Sequence, residues 1–206
     1  MSKLIETIKS NPRLKSLALA VLMPRNQARP RLWVKWFLNP FKHKRGKNSL
    51  IRSMTRMDVL PFNDFVLGND STIEDFSTVN NGVGHVLIGD RTRIGISCVL
   101  IGPVKVGNDV MLAQNIVMSG LNHGYEDIST PISIQPCTTA EIVVEDEAWI
   151  GANSVITAGV KIGKHSVVAA GSVVTKDVPA YSIAAGNPAR ILKRYNFDTK
   201  TWEKIA

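Results

Sequence analysis

The sequence predicts an all-β fold, a parallel β-helix of stacked triangular coils. Three observations carry that reading. First, an aliphatic side chain recurs every six residues. The series runs Leu67, Ile73, Val79; after a three-residue slip, Ile88, Ile94, Leu100, Val106, Leu112, Met118; and after a 26-residue gap, Val144, Ile150, Ile156, Ile162, Val168, Val174. Second, the next residue is often glycine, as at Gly68, Gly89, Gly95, Gly107, Gly151 and Gly163. Third, four residues after the aliphatic comes a small or β-branched side chain, such as Ser71, Thr92, Cys98, Val110, Ser154 or Ser172.

A period of six fits neither the 3.6-residue helix nor a long plain alternation. It fits a short strand followed by a corner. Alternate side chains of a strand share a face, so the aliphatic and the residue two before it both point inward. Glycine is expected where the chain turns sharply. Three hexads make one coil of about 18 residues, and stacked coils bury a continuous aliphatic column. An antiparallel sandwich would instead space its strands irregularly, about 8–12 residues apart, with hairpin turns.

The 206 residues suffice for one large domain, or a domain plus an appendage, and a 44% hydrophobic content supports a sizeable core. The longest apolar run, residues 17–23, is far too short to span a bilayer. Glu6 before it and Pro24-Arg-Asn-Gln27 after it make a poor signal peptide. Two cysteines form neither a disulfide framework nor a zinc knuckle, so a reducing, cytoplasmic setting is expected. Neither G-x-x-x-x-G-K-[ST] nor G-x-G-x-x-G occurs, which leaves nucleotide hydrolysis and dinucleotide binding without support.

The net charge of +8 is unevenly spread. Residues 1–60 hold 14 Lys/Arg against two acids, whereas residues 61–206 hold 11 against 15. A basic, partly helical appendage is therefore expected over residues 1–58, a β-helix over 59–185 with an inserted loop at 119–141, and a C-terminal strand and helix over 186–206. Residues 2–23 have helical spacing. Leu4, Ile5 and Ile8 form one apolar set, and Leu14, Leu17, Ala18, Val21 and Leu22 another, with Pro12 breaking the pattern between them. Residues 24–47 interleave cations with Trp33, Trp36, Phe37 and Phe41, a mixture suited to peripheral contact with the inner face of a membrane. Capping of the open end of the β-helix and binding of acidic polysaccharide remain as alternatives. Nucleic acid ranks last, because no recognised motif accompanies the charge.

The C-terminal hexads are specific enough to show a resemblance. Trp149-Ile-Gly-Ala-Asn-Ser-Val-Ile-Thr-Ala-Gly-Val-Lys-Ile-Gly163, Ala169-Ala-Gly-Ser-Val-Val-Thr-Lys-Asp-Val-Pro179 and Ala184-Ala-Gly-Asn-Pro-Ala-Arg190 are similar to coils of the maltose, galactoside and streptogramin acetyltransferases. Asn122-His-Gly-Tyr-Glu-Asp-Ile-Ser-Thr-Pro-Ile-Ser-Ile-Gln-Pro136 resembles members that acetylate bacterial polysaccharide or lipopolysaccharide sugars. Residues 60–195 thus resemble the hexapeptide-repeat acyltransferases. The resemblance implies a left-handed coil, a homotrimer with its active site between neighbouring subunits, acetyl-CoA as donor, and direct transfer to a sugar or glycan hydroxyl. An antibiotic hydroxyl, an amino-sugar amine and a non-catalytic scaffold remain alternatives.

His123, at the start of the inserted loop, matches the family's catalytic histidine. A sugar hydroxyl is a weak nucleophile near neutral pH and needs a base, and neutral imidazole suits the task. The resemblance further implies that Trp149, Ala152 and Ala170 line the pantetheine arm, Thr175 and Lys176 the nucleotide end, and Arg190 and Lys193 its phosphates. Lysine stands at the last position where some relatives have arginine. Asn122 is a candidate acceptor contact. Glu126 or Asp127 is a candidate orienting carboxylate; either could equally be a solvated loop charge or hold the loop against a neighbouring subunit. His43, His85 and His165 read as structural or surface residues, and Cys98 as a core thiol. Cys137 has no histidine at a readable spacing, so no cysteine nucleophile is expected. The γ-class carbonic anhydrases share the six-residue period but need three histidines on zinc. His85, His123 and His165 lie about 40 residues apart, so no metal is expected.

Overall fold

The computed structural model describes Thr7 and residues 10–205. Leu4, Ile5 and Ile8, which the sequence assigns to an N-terminal helix, lie outside the described residues.

The hexads become rungs of a three-sided prism. The first face stacks six parallel strands, from Lys44–Arg45 through Phe65–Leu67, Val86–Ile88, Val104–Val106 and Ile142–Val144 to Lys161–Ile162. The second face begins at Leu50–Ile51, and the third runs from Arg56–Asp58 to Val173–Val174. Each repeat aliphatic stands on its counterpart in the next coil. Leu100 pairs with Met118, Met118 with Ile156, and Ile156 with Val174. All fifteen are at most 2% exposed. Burying each contributes about 1.5–3 kcal/mol, so the column holds the prism together.

The glycines have a different task from the one expected. Gly68, Gly89, Gly107, Gly151 and Gly163 do not adopt positive φ. The left-handed residue at the corner is the third after the aliphatic, as at Asp70, Arg91, Asp109, Asn153 and His165. Glycine is required because the next coil passes directly over it. A Cβ on Gly151 would lie 2.5 Å from Ala170 N, and one on Gly89 would lie 2.6 Å from Gly107 O. The small residue at the fourth position joins one coil to the next. Ser71 Oγ donates to Gly89 O at 2.7 Å, Ser77 Oγ to Gly95 O at 2.9 Å, and Thr92 Oγ1 to Gly107 O at 2.8 Å, so these buried hydroxyls are satisfied.

The prism begins earlier than residue 59. Arg45, Ile51 and Met57 form the first rung, with Ile51 and Met57 packed against the core. Arg45 breaks the aliphatic rule and hides the period there. Ahead of the prism lie α1 (Pro12–Leu22), α2 (Leu32–Phe37) and α3 (Asn39–Lys42). Asn11 caps α1, its Oδ1 accepting from Arg13 N at 3.0 Å and Leu14 N at 3.2 Å, so Pro12 opens this helix.

The appendage caps the first coils, one of the alternatives left open by the sequence. Val34 is fully buried, and Asn39 Nδ2 donates to Val59 O at 2.8 Å. His43 Nδ1 accepts from Phe65 N at 3.2 Å, and Lys42 Nζ lies 2.6 Å from Asp64 Oδ1. The buried Asp58 carboxylate receives Arg56 Nε at 2.8 Å, with Arg29 Nε 3.8 Å away.

The C-terminal segment contains no helix among the described residues. Ser182–Gly186 adds to the second face parallel to Val167–Val168, and Ala189–Asn196 and Thr201–Lys204 extend it antiparallel. Asn196 Oδ1 accepts from Asp198 N at 2.8 Å and Thr199 N at 3.3 Å, and Lys200 has φ of 55°, which together make a tight turn. Tyr195 and Trp202 then pair edge-to-face across the ladder, 5.5 Å apart. The helix expected at this end of the chain is thus replaced by a strand of this hairpin.

Candidate functional site

The inserted loop leaves the corner between the third and first faces after Val117–Ser119 and returns at Ile142–Val144. Its ends form an antiparallel hairpin, Leu121–His123 against Cys137–Thr139. Backbone bonds fix its base: Gly120 N donates to Ile101 O at 2.9 Å, and Ala140 N to Gly120 O at 2.9 Å. His85 Nε2 meets Glu141 Oε1 at the same place.

His123 is exposed on this hairpin, directly opposite Cys137. Cys137 Sγ lies 3.4 Å from His123 Nδ1. Among the described residues, Nε2 makes no hydrogen bond and remains available to a ligand. Spacing alone does not reveal this pair, because fourteen residues separate the two. The loop returns to the corner it left, so its ends must run antiparallel, and that was the signal available.

Neither candidate carboxylate reaches the imidazole. Glu126 Oε2 accepts from Tyr125 N at 2.9 Å, and backbone N–H donors hold its carboxyl below the usual range. Asp127 Oδ1 accepts from Ser129 Oγ at 2.6 Å and Ser129 N at 2.9 Å, and these bonds lower its pKa likewise. Gln135 Nε2 donates to Asp127 O and Thr130 O, both at 2.8 Å, closing the loop tip on itself. Asn122 stands exposed opposite Thr138.

The donor candidates fall into two groups. Trp149 points outward on the second face, in an open groove of about 360 Å³ with Arg93, Ile96, Met111 and Gln114. Ala152 and Ala170 follow on the corner between the second and third faces, one coil apart, where Gly171 N donates to Ala152 O at 2.8 Å. Thr175 and Lys176 lie on the corner that carries the hairpin. Lys176 and Arg190 line a second groove, of about 220 Å³, with Val174, Val178, Ala184 and Ile191. Lys193 pairs with Ile183 and lines neither groove. His123 lines neither groove as well. The register Met118, Ile156, Val174 puts the hairpin base two coils from Lys176, about 10 Å along the prism axis.

The remaining candidates are structural. Cys98 is fully buried, its Sγ 3.1 Å from Ala113 O, and burial pushes the thiol pKa up. His165 meets Glu147 Oε2 at 3.0 Å and stacks on Tyr181 at 5.8 Å. Among the described residues, no three His, Cys, Asp or Glu side chains are grouped so as to hold a metal.

Comparison with known proteins places this geometry in a family. Residues 141–176 match the bacterial transferase hexapeptide (six repeats), and residues 85–119 match the hexapeptide repeat of succinyl-transferase. Over 132 residues, 60% of this chain, the sequence is 31% identical to WbbJ of Escherichia coli K12, which is assigned to lipopolysaccharide biosynthesis as an O-acetyl transferase and is covered over 67% of its length. A 2,3,4,5-tetrahydropyridine-2,6-dicarboxylate N-acetyltransferase of Clostridium perfringens is 54% identical over 71 residues, which span 34% of this chain and 29% of that protein.

Among solved structures, AntD, an N-acyltransferase from Bacillus cereus in complex with dTDP and 3-hydroxybutyryl-CoA, superposes with a TM-score of 0.64 at 21% identity, covering 79% of this chain and 88% of its own. A hexapeptide-repeat-containing acetyltransferase from Vibrio cholerae gives a TM-score of 0.54 at 26% identity over 95% of this chain and 94% of its own. The fold is the left-handed parallel β-helix, and the chain belongs to the hexapeptide-repeat transferases. It is an acyltransferase.

Proposed function

We propose that this acyltransferase moves an acetyl group from acetyl-CoA to a hydroxyl of a sugar or polysaccharide precursor, with His123 as general base. The observation that carries this reading is an exposed imidazole on a braced hairpin, with Nδ1 engaged by Cys137 and Nε2 free. Nε2 takes the proton of the acceptor hydroxyl as its oxygen attacks the thioester carbonyl. Backbone N–H groups stabilise the resulting oxyanion. The imidazolium then protonates the departing thiolate, so the proton balance closes without a metal. The likeness to WbbJ supports a hydroxyl of a lipopolysaccharide-type sugar. Asn122, beside His123 on the same strand, is suited to contact that acceptor; Glu126 and Asp127 serve the loop's own turn.

The Lys176–Arg190 groove fits the donor. Two cations beside apolar walls suit phosphates joined to a largely apolar arm, and the guanidinium can engage phosphate oxygens as a fork. AntD, which shares the fold, is described with coenzyme A and with 3-hydroxybutyryl-CoA.

The site is completed by a neighbouring copy in a homotrimer. Two observations support this. Trp149 on the second face, and Ala152 and Ala170 at the corner that follows it, lie away from the corner of His123, Thr175 and Lys176. The hairpin tip also exposes Tyr125, Ile128, Ile132 and Ile134, an apolar surface that a neighbouring subunit would cover. One chain then supplies His123, and the next supplies the Trp149 edge.

A second reading, an amine acceptor, is favoured by the two N-acyl relatives. Both readings are tested by following free thiol released from acetyl-CoA against hydroxyl and amino-sugar acceptors, for native protein and His123→Ala. With a hydroxyl acceptor the substitution should lower the rate by about 10²–10⁴. Equal rates reject His123 as the base. Turnover confined to amines selects the second reading.

A further inference from the structure

We propose that α1, α2 and α3 form a docking face for an anionic lipid surface. The face does not depend on the acceptor or on the oligomer. It rests on three observations. The first is how the apolar residues divide between the inner and outer sides. In α2, Val34 points into the protein and is fully buried. Trp33, Trp36 and Phe37, at helical spacing, form a stripe beside it that is open to solvent, with Trp36 63% and Phe37 65% exposed. Phe41 in α3 is 90% exposed, and Leu17 and Val21 present a matching stripe on α1. Capping therefore uses the inner side alone.

The second is charge. Glu6 and Asp58 bracket a stretch without a single acid, and residues 7–57 carry 13 Lys/Arg. Four of these are paired: Arg29 and Arg56 with Asp58, Lys42 with Asp64, and Arg52 with Glu74. Arg25, Lys35, Lys44 and Lys47 are exposed and have no carboxylate partner among the described residues. Exposed cations and exposed aromatic rings in one segment match a bilayer interface whose headgroups are negative.

The third is rigidity. Asn39, His43, Lys42 and Arg29 tie the helices to the first coils, so the rings are presented as one fixed surface at one end of the prism. No helix of the described residues is long and apolar enough to cross a membrane, so the face lies on the lipid and not through it.

Flotation of the full chain with vesicles tests this. Phosphatidylglycerol–phosphatidylethanolamine vesicles should carry the protein up the gradient, and pure phosphatidylcholine vesicles should not. The exposed triple variant Trp36→Ser, Phe37→Ser, Phe41→Ser should lose at least about tenfold in partitioning. Arg25→Gln with Lys35→Gln and Lys47→Gln should lose about 100-fold at low salt and show a weaker response to added NaCl. Circular dichroism of each variant confirms that the fold is retained. The proposal is overturned if native protein stays at the bottom with anionic vesicles, if both triple variants float like native protein, or if the aromatic variant changes the oligomeric mass instead, which would make the face an interface between copies.

Discussion

Cys137 Sγ lies 3.4 Å from His123 Nδ1, across a two-stranded hairpin that grows from one corner of the prism. The proposed mechanism requires that Nδ1 carry its proton toward sulfur, which leaves Nε2 as the bare nitrogen a base needs. In that mechanism Cys137 is a positioning residue. Losing one weak hydrogen bond from Cys137→Ala should lower kcat about fivefold with little change in KM. Iodoacetamide should inhibit more strongly than that substitution, because the adduct is placed against the ring. The Cys137→Ala variant should resist the reagent, since Cys98 is fully buried. Inhibition of the variant equal to that of native protein would reject the contact as functional.

Arg190 and Lys176 share one groove. Arg190→Ala should raise KM for acetyl-CoA about tenfold with little change in kcat, the cost of one charge-assisted hydrogen bond. An acetyl-pantetheine thioester, which lacks the nucleotide phosphates, should be used equally well by both proteins. Initial rates with the two donors make the comparison.

Gly163 lies beneath the next coil. An added Cβ would fall on Ala180 N, with Ala180 Cα and Pro179 C at 2.7 Å. These are backbone atoms and cannot rotate away. Gly163→Ala should destabilise the protein by about 1–3 kcal/mol, read from urea unfolding. Ser53→Ala, on an exposed turn, should change stability by less than about 0.5 kcal/mol.

His43 should make stability pH-dependent. Burial first, and then the Lys42 charge, lowers its pKa from 6.5, with Asp64 opposing. The neutral ring accepts from Phe65 N, while Nε2 is buried without a partner. Its folded pKa lies below its unfolded one, so its contribution is complete above about pH 6.5 and declines as pH falls through the lowered folded value. Melting temperatures at about pH 8 and pH 5.5 should differ more for native protein than for His43→Gln, which does not titrate. Equal differences would remove His43 as the cause.

The sequence showed the prism because a buried column must repeat wherever a coil repeats, so Leu67 through Val174 could be read directly. It misled about glycine, whose steric need comes from a coil about 18 residues away and not from its own turn. It hid the first rung because Arg45 takes an aliphatic position that only an end coil can leave exposed. It left the end of the chain to be read as a helix, because the left-handed Lys200 that turns the hairpin there leaves no mark in hydropathy. His123 was legible as loop chemistry. Cys137 was not, since strand pairing and not spacing brings it to the ring.

The corner that carries both hairpin and cation groove acts as a ruler. Its graduations are rungs, each about 4.8 Å. Two of them separate the base of the hairpin from Lys176. The reach demanded of an acyl carrier is therefore quantised: removing or duplicating one whole rung would reset it by a fixed step and leave both ends chemically intact.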